Sequence, residues 1–286
     1  MLVAADDTAR PLSGARVRRV RTGGVLRALG IGLCFAFVGV LVVPLAALYV
    51  QAPLRLARTV ECCVIIRDAL RLSLVTSLLT TVLVCIVGTP VAYTLARFRF
   101  RGRRALETLI ELPLTLPPVV AGVALLLVFG RQGYLGRPLG ALGIGLSFTQ
   151  VAVVMAQFMV ASPYYIKAAT GAFGMVPQNL LHASHTLGAG HLRTFATVTL
   201  PLCRNPLLAG LALTWARAVG EFGATIMFAG NFPGRTQTMP LAILTTMQRD
   251  LHAGLVLSVV MLTTCLAVFF VARRLLHSSS QELGCV

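Results

Sequence analysis

Residues 29–50 contain no charged side chain. Five further runs are almost as bare: 70–96, 109–129, 147–166, 207–229 and 255–276. About 20 mostly apolar residues suffice for a helix to cross about 30 Å of hydrocarbon. The fold class expected is therefore all-α, a polytopic membrane protein with about six transmembrane helices. Composition agrees, because 57% of residues are hydrophobic and only 12% charged, where soluble chains carry about 25% charged residues. The basic segment ahead of the first run has the charge of a signal-peptide n-region, but the run is too long for an h-region. An uncleaved first helix is expected.

The net charge of +16 would suggest nucleic acid in a soluble protein. Here no basic stretch with interleaved aromatics lies on a soluble domain, and the arginines instead flank the apolar runs. Six fall within residues 1–28 and five within 97–104. Positively charged flanks mark the cytoplasmic side, so both termini and the loop over residues 167–204 are expected in the cytoplasm. Arg55, Arg58, Arg67 and Arg71 in the first outer loop run against the rule, diluted by Glu61 and Asp68. The expected organisation is a basic cytoplasmic N-terminal tail (1–28), a transmembrane domain (29–276) and a short cytoplasmic C-terminal tail (277–286).

Catalysis has no foothold. The one lysine, Lys167, lies in Tyr-Tyr-Ile-Lys-Ala-Ala-Thr, so the Gly-Lys-Ser/Thr of a phosphate-binding loop is missing. No pair of carboxylates suited to acid–base work lies within the apolar runs. The seven cysteines show neither CxxC nor Cys/His ligand spacing, so no metal site and no disulfide framework is expected.

Three features inside the apolar runs carry potential chemistry. Pro113, Pro117 and Pro118 interrupt the third run; they predict either a kink lining a pore or a kink that serves packing. Arg217 and Glu221 are spaced i, i+4 and are expected to face each other on one helix. Charges at such depth either mark a translocation path or neutralise each other as a structural pair. Gly220, Gly223 and Gly230 allow close approach of helices. Gln150 and Gln157, i, i+7, either line a path or make interhelical hydrogen bonds.

Between the fourth and fifth runs lies a mostly polar stretch, residues 180–202. Pro177 suits a helix start and Gly188 a helix stop. Leu180, Leu181, Ser184 and Leu187 are expected on one face, with Gln178, His182 and His185 on the other. A second short piece, His191 to Val198, is expected to end at Leu200-Pro201. Without a basic or aromatic face, the first helix reads as a partner-docking element rather than a lipid-surface one. His182 and His185 alone make a weak metal site.

This stretch resembles the cytoplasmic signature loop of ABC importer permeases: Glu-Ala-Ala, three residues, Gly, nine residues, Ile or Val, one residue, Leu-Pro. Here the positions read His182-Ala183-Ser184, Gly188, Val198 and Leu200-Pro201, with Leu187 just before the glycine. The glycine, the Leu-Pro and all spacings match; the leading glutamate is His182 and the second alanine is Ser184. Residues 95–126 and the stretch Gly220-Glu221-Phe222-Gly223-Ala224, followed by Gly230-Asn231 and Pro-Gly-Arg-Thr-Gln-Thr-Met-Pro, are similar to the molybdate branch of that family. Sulfate permeases tend towards Gly-Glu-Tyr-Gly-Ser there.

The resemblance implies a type I ABC importer permease fold and a permease subunit that moves an oxyanion, molybdate foremost, by alternating access. It implies ATPase subunits docking on the signature loop and holding ATP and magnesium, an extracytoplasmic oxyanion-binding protein and a second copy of the chain, with no cofactor in this chain. Arg235, in an outer loop, is a candidate for docking the binding protein. The alternatives are a sulfate, thiosulfate or tungstate permease of the same kind and, in another class, an ion-coupled secondary transporter built on repeats around a midplane site.

Overall fold

The structure, a computed structural model, describes residues 23–52 and 60–281. Most of the expected N-terminal tail, part of the first outer loop (53–59) and residues 282–286 lie outside the described residues. The regular structure among the described residues is helical throughout. The chain divides into two units, Met1–Val50 and Gln51–Val286.

In the first unit, α1 (Gly23–Gln51) carries Pro44 inside it. Its apolar side chains point outward, Phe35 at 74% and Phe37 at 66% exposure. Such a surface is stable only where the surroundings are themselves apolar.

The second unit is built around a core of three packed helices. These are α2 (Val60–Arg97), α6 (Gln150–Met175) and α9 (Leu200–Val219). Between them come α3 (Arg103–Thr115), α4 (Pro118–Phe129), α5 (Gly136–Ala141), α7 (Gln178–Thr186) and α8 (His191–Thr194). After α9 follow α10 (Gly223–Phe228), α11 (Met239–Met247) and α12 (Leu251–Gln281). Among the described residues, five helical segments are long and apolar enough to cross a membrane, or six if α3 and α4 together form one span. That agrees with the expected count, although the helices overrun several of the apolar runs, since α2 starts at Val60 and α6 continues to Met175.

The central core joins α2, α6 and α9 through Val84, Leu95, Tyr165, Phe173, Cys203 and Leu207. Small residues bring the backbones together. A Cβ on Gly88 would lie 3.0 Å from the Tyr165 ring, and one on Gly210 would lie 2.9 Å from the Ala168 methyl. Some polar groups inside the bundle find partners across helices. The Thr89 and Tyr165 hydroxyls lie 2.7 Å apart. Gln157 donates to Thr76 Oγ1 at 3.3 Å and accepts from Thr80 Oγ1 at 3.0 Å. Gln157 is thus an interhelical tie, whereas Gln150 is exposed at the helix start, so the two glutamines do not line one path. Towards the other end, Met239, Ala242, Val256 and Leu257 pack with Ala69, and Ser73 Oγ accepts from the Met239 N–H at 2.7 Å.

Two apolar runs are not single helices. The third breaks between α3 and α4, whose axes differ by 115°. Leu116 is extended (φ −77°, ψ 138°) and so is Pro117 (φ −56°, ψ 132°), as the residue preceding a proline is disfavoured in the helical region. Pro118 then opens α4 from its first turn. The expected kink is a full break at Pro117-Pro118, while Pro113 is carried inside α3. The fifth run breaks after Val219, and a new helix starts only at Gly223. Glu221 therefore does not share a helix with Arg217, contrary to expectation.

Candidate functional site

Two places bring together the residues singled out in the sequence. The first is the segment after α6. Val176 and Pro177 are both extended (ψ 121° and 136°), so α7 follows α6 after only two residues. Arg97, the last residue of α2, donates from Nη2 to the Val176 carbonyl at 3.1 Å. At the far end of α7 the chain reverses through Gly188, whose φ is +82°. The Ala189 N–H donates to Ser184 O and the Gly188 N–H to His185 O. This paired arrangement closes a helix at a left-handed residue, where glycine is favoured.

Side chains then fasten the hairpin. Ser184 and Thr194 hydroxyls lie 3.0 Å apart. His185 Nδ1 lies 2.9 Å from the Ala189 carbonyl, and its ring meets the edge of His191 at 4.8 Å between centroids. The histidine that neighbours His185 is His191, from the next helix. His182 and Ala183 are exposed on α7, Ser184 is half-buried, and Gly188 is exposed. The expected apolar face is narrower than its four residues: Leu181 and Ser184 turn inward, while Leu180 is exposed and Leu187 lies past the helix end, 87% exposed.

Contrary to expectation, the Leu200-Pro201 pair does not end the second piece. Helical backbone runs on from α8 through a wide turn, Phe195–Thr199, into α9. In that turn Leu200 N–H bonds to Phe195 O, five residues back. Such π-bulges absorb an irregularity within a helix, and here one stands immediately before Pro201, which lacks an N–H to offer. Val198 is half-buried in the bulge, and Leu200 and Pro201 are exposed just beyond it.

The second place is where the two broken spans meet. A Cβ on Gly122 of α4 would come within 2.7 Å of both Cα and O of Ala224 in α10. One on Gly223 would lie 3.0 Å from Pro118 Cβ and from Val119 N. Backbones at that distance admit only glycine. The proline break and the Gly-Glu-Phe-Gly-Ala segment, far apart in sequence, thus form one structural unit. Within it Arg217 Nη2 lies 2.7 Å from Glu221 Oε2, an ion pair off the direction of a hydrogen bond. Glu221 Oε1 accepts from the Ala224 N–H at 2.8 Å. The Glu221 side chain is 1% exposed and that of Arg217 is 24% exposed. One carboxylate therefore joins the end of α9 to the first turn of α10 and offsets the arginine charge.

Beyond α10 the chain turns at Gly230 (φ +72°) and Gly234 (φ +71°). Thr236 Oγ1 accepts from the Phe232 N–H at 3.1 Å, and Phe232 meets Phe148 edge-on at 6.0 Å. Arg235 stands exposed on this tight loop, away from the Arg217–Glu221 pair in the chain.

Sequence reasoning missed one pair altogether. Lys167 of α6 lies 3.1 Å from Glu111 of α3. The signal available was that a lysine directly follows one apolar run, 147–166, and a glutamate stands near the start of another, 109–129.

The family described as "Binding-protein-dependent transport system inner membrane component" matches residues 88–280. The chain is 43% identical over 202 residues to the "Molybdenum transport system permease protein ModB" of Mycobacterium tuberculosis, which covers 71% of this chain and 76% of that one. It is 40% identical over 182 residues to the protein of the same name from Escherichia coli K12, covering 63% and 80%. With the "Probable transport system permease protein NifC" of Clostridium pasteurianum the identity is 43% over 181 residues, spanning 63% of each chain. Among solved structures, a bacterial ABC transporter involved in the import of the acidic polysaccharide alginate superposes with a TM-score of 0.70 at 12% identity, covering 92% of this chain and 97% of that one. The MetNI methionine ABC transporter superposes with a TM-score of 0.56 at 15% identity, covering 75% and 94%. These last two carry the fold.

Proposed function

This chain belongs to the family of binding-protein-dependent transport system inner membrane components, and from that membership we propose that it is the membrane permease of an ATP-driven importer that brings molybdate into the cytoplasm. The observation that carries the substrate is 40–43% identity to relatives named as molybdenum permeases. The chain is a multi-pass membrane protein of a permease family, not an enzyme family. In this reading it sits in the inner membrane with both termini in the cytoplasm, and two copies enclose the path. ATP and magnesium are held, and ATP is hydrolysed, by partner ATPase subunits.

The segment from His182 to Pro201 is the docking element for those subunits. Two features support the assignment. The hairpin is closed internally by Gly188, Ser184–Thr194 and His185–His191, so a push on it moves it as a body. It also holds Leu187 and Leu192 out at 87% and 86% exposure, apolar side chains that a partner would cover. His182 stands where the signature has glutamate, so docking here does not use a carboxylate at that point. When the motors close, the hairpin carries α6 and α9 with it, and the membrane helices tilt to open the path outward. An extracytoplasmic binding protein docks near Arg235 and releases its oxyanion. Hydrolysis restores the inward-facing state. Pro113, Pro117, Pro118, Arg217 and Glu221 belong to the moving wall of the path, where the two broken spans meet.

The test is ATPase stimulation in the reconstituted complex, with binding protein loaded in turn with molybdate, tungstate and sulfate. Stimulation by the molybdate-loaded protein is expected. Stimulation by the sulfate-loaded protein alone would make the chain a sulfate permease.

A further inference from the structure

The proposed function leaves open how motion of the docking hairpin reaches the broken spans. α7 is attached to α6 through two residues, so α6 must follow the hairpin. Lys167 lies on α6 about 13 Å from that junction at 1.5 Å per residue. Its ammonium meets Glu111, which lies one turn before the break that ends α3 at Thr115.

Apart from the ion pair, α3 meets the bundle through Ile110, which packs partly buried against the central core. α3 has no buried residue. A groove of about 560 Å³ separates Leu106, Leu109 and Pro113 of α3 from Val87 of α2 and Phe158 of α6. A smaller cavity of about 90 Å³ lies beside the ion pair itself, between Ile110 and Ile166. Across the groove dispersion contacts are largely lost, whereas the ion pair, its side chains 60% and 46% exposed, bridges the two helices at 3.1 Å. Past the break, α4 is locked to α10 at Gly122–Ala224 and Pro118–Gly223.

We propose that Lys167 and Glu111 are positioning residues that form a strut between α6 and α3, making the broken span follow the docking hairpin during transport. The proposal rests on the permease reading above. Neither residue touches substrate. The strut works by attraction, so its polarity is immaterial and a reversed pair should serve.

The experiment uses the complete reconstituted complex and compares wild type with Lys167→Gln, Glu111→Gln and the exchange Lys167→Glu/Glu111→Lys. The quantity read is molybdate moved per ATP hydrolysed. Each single variant is expected to assemble, to keep its basal ATPase rate and to lower that ratio roughly two- to fivefold, the range a partly exposed ion pair supports. The exchanged pair is expected to restore it. Single variants at the wild-type ratio, or an exchanged pair no better than the singles, would overturn the strut. A second readout is independent of substrate: labels on Thr108→Cys and Gly171→Cys report the α3–α6 separation with and without ATP. It is expected to stay constant with the native pair and to vary in Lys167→Gln; a constant separation in Lys167→Gln overturns the proposal. Failure of the wild type to move molybdate, with the label result intact, would refute the substrate and leave the strut standing.

Discussion

Arg217 and Glu221 form an ion pair at 2.7 Å across the end of a helix rather than along one. The four-residue spacing that brings side chains together on a helix is preserved, but the chain between them has already left helical geometry at Gly220. The carboxylate then turns its other oxygen to the Ala224 N–H. The pair ties the end of α9 to the first turn of α10, and its charges largely cancel.

This arrangement predicts an order of severity. Glu221→Gln keeps an acceptor for Ala224 and removes only the counter-charge. Glu221→Ala loses both, and is expected to cost about 2–3 kcal/mol. Arg217→Ala strands a buried carboxylate and should exceed Glu221→Gln. Arg217→Met combined with Glu221→Gln should recover part of the loss, because an ion pair replaced as a unit leaves no orphan charge. Thermal unfolding of the four purified variants in detergent checks the order; strictly additive losses would show that the two residues act apart.

Gly122 supports a second prediction. The atoms that a new Cβ would meet are Ala224 backbone atoms at 2.7 Å, with Met227 Cβ at 2.8 Å, and backbone cannot rotate away. Gly122→Ala should destabilise the protein by about 1–3 kcal/mol through overpacking. It should also separate α4 from α10, so transport should fall further than stability does. A control is Gly140→Ala, where nothing lies within 4 Å and little change is expected. Melting temperature and uptake rate, measured together, decide it.

The breaks explain what the sequence concealed. Hydropathy over residues 207–229 reads as one span because composition, not backbone, sets the value; Gly220 is as compatible with a helix packed closely on a neighbour as with a helix end. Pro117-Pro118 did announce a disturbance, since proline acts locally, but its 115° turn depends on α4 finding α10. The glutamines illustrate the same limit: spacing placed Gln150 and Gln157 on one face, and only the approach of Thr76 and Thr80 decided what Gln157 does. The Lys167–Glu111 contact joins residues on different helices, and no local pattern encodes it. By contrast the number of spans and the stop at Gly188 were legible, because length and left-handed backbone are local properties.

Gly188 itself yields a third prediction. Its φ of +82° costs a residue with a side chain about 1–2 kcal/mol, while nothing lies within 4 Å of the Cβ position. Gly188→Ala should therefore leave the membrane bundle intact and loosen only the hairpin. Expected results are an unchanged melting temperature for the bundle and weaker capture of the ATPase subunits in a pull-down from detergent. Gly188→Asn should fall between, because asparagine tolerates the left-handed region. Equal capture by all three proteins would mean that the reversal at Gly188 does not shape the docking surface.

His182 supplies a fourth. It is exposed on α7, at the position where the signature carries glutamate. In the proposed function the ATPase partner accommodates a histidine there, so His182→Glu should weaken docking. The complex yield after size-exclusion chromatography measures this; an undiminished yield would mean that the partner does not read this position.

The central claim is most directly tested by uptake of labelled molybdate into vesicles holding this chain, with and without its ATPase subunits, with binding protein outside and ATP inside. Uptake that requires both the ATPase subunits and ATP is predicted. Uptake that proceeds without them, driven by a proton or sodium gradient, would contradict the account.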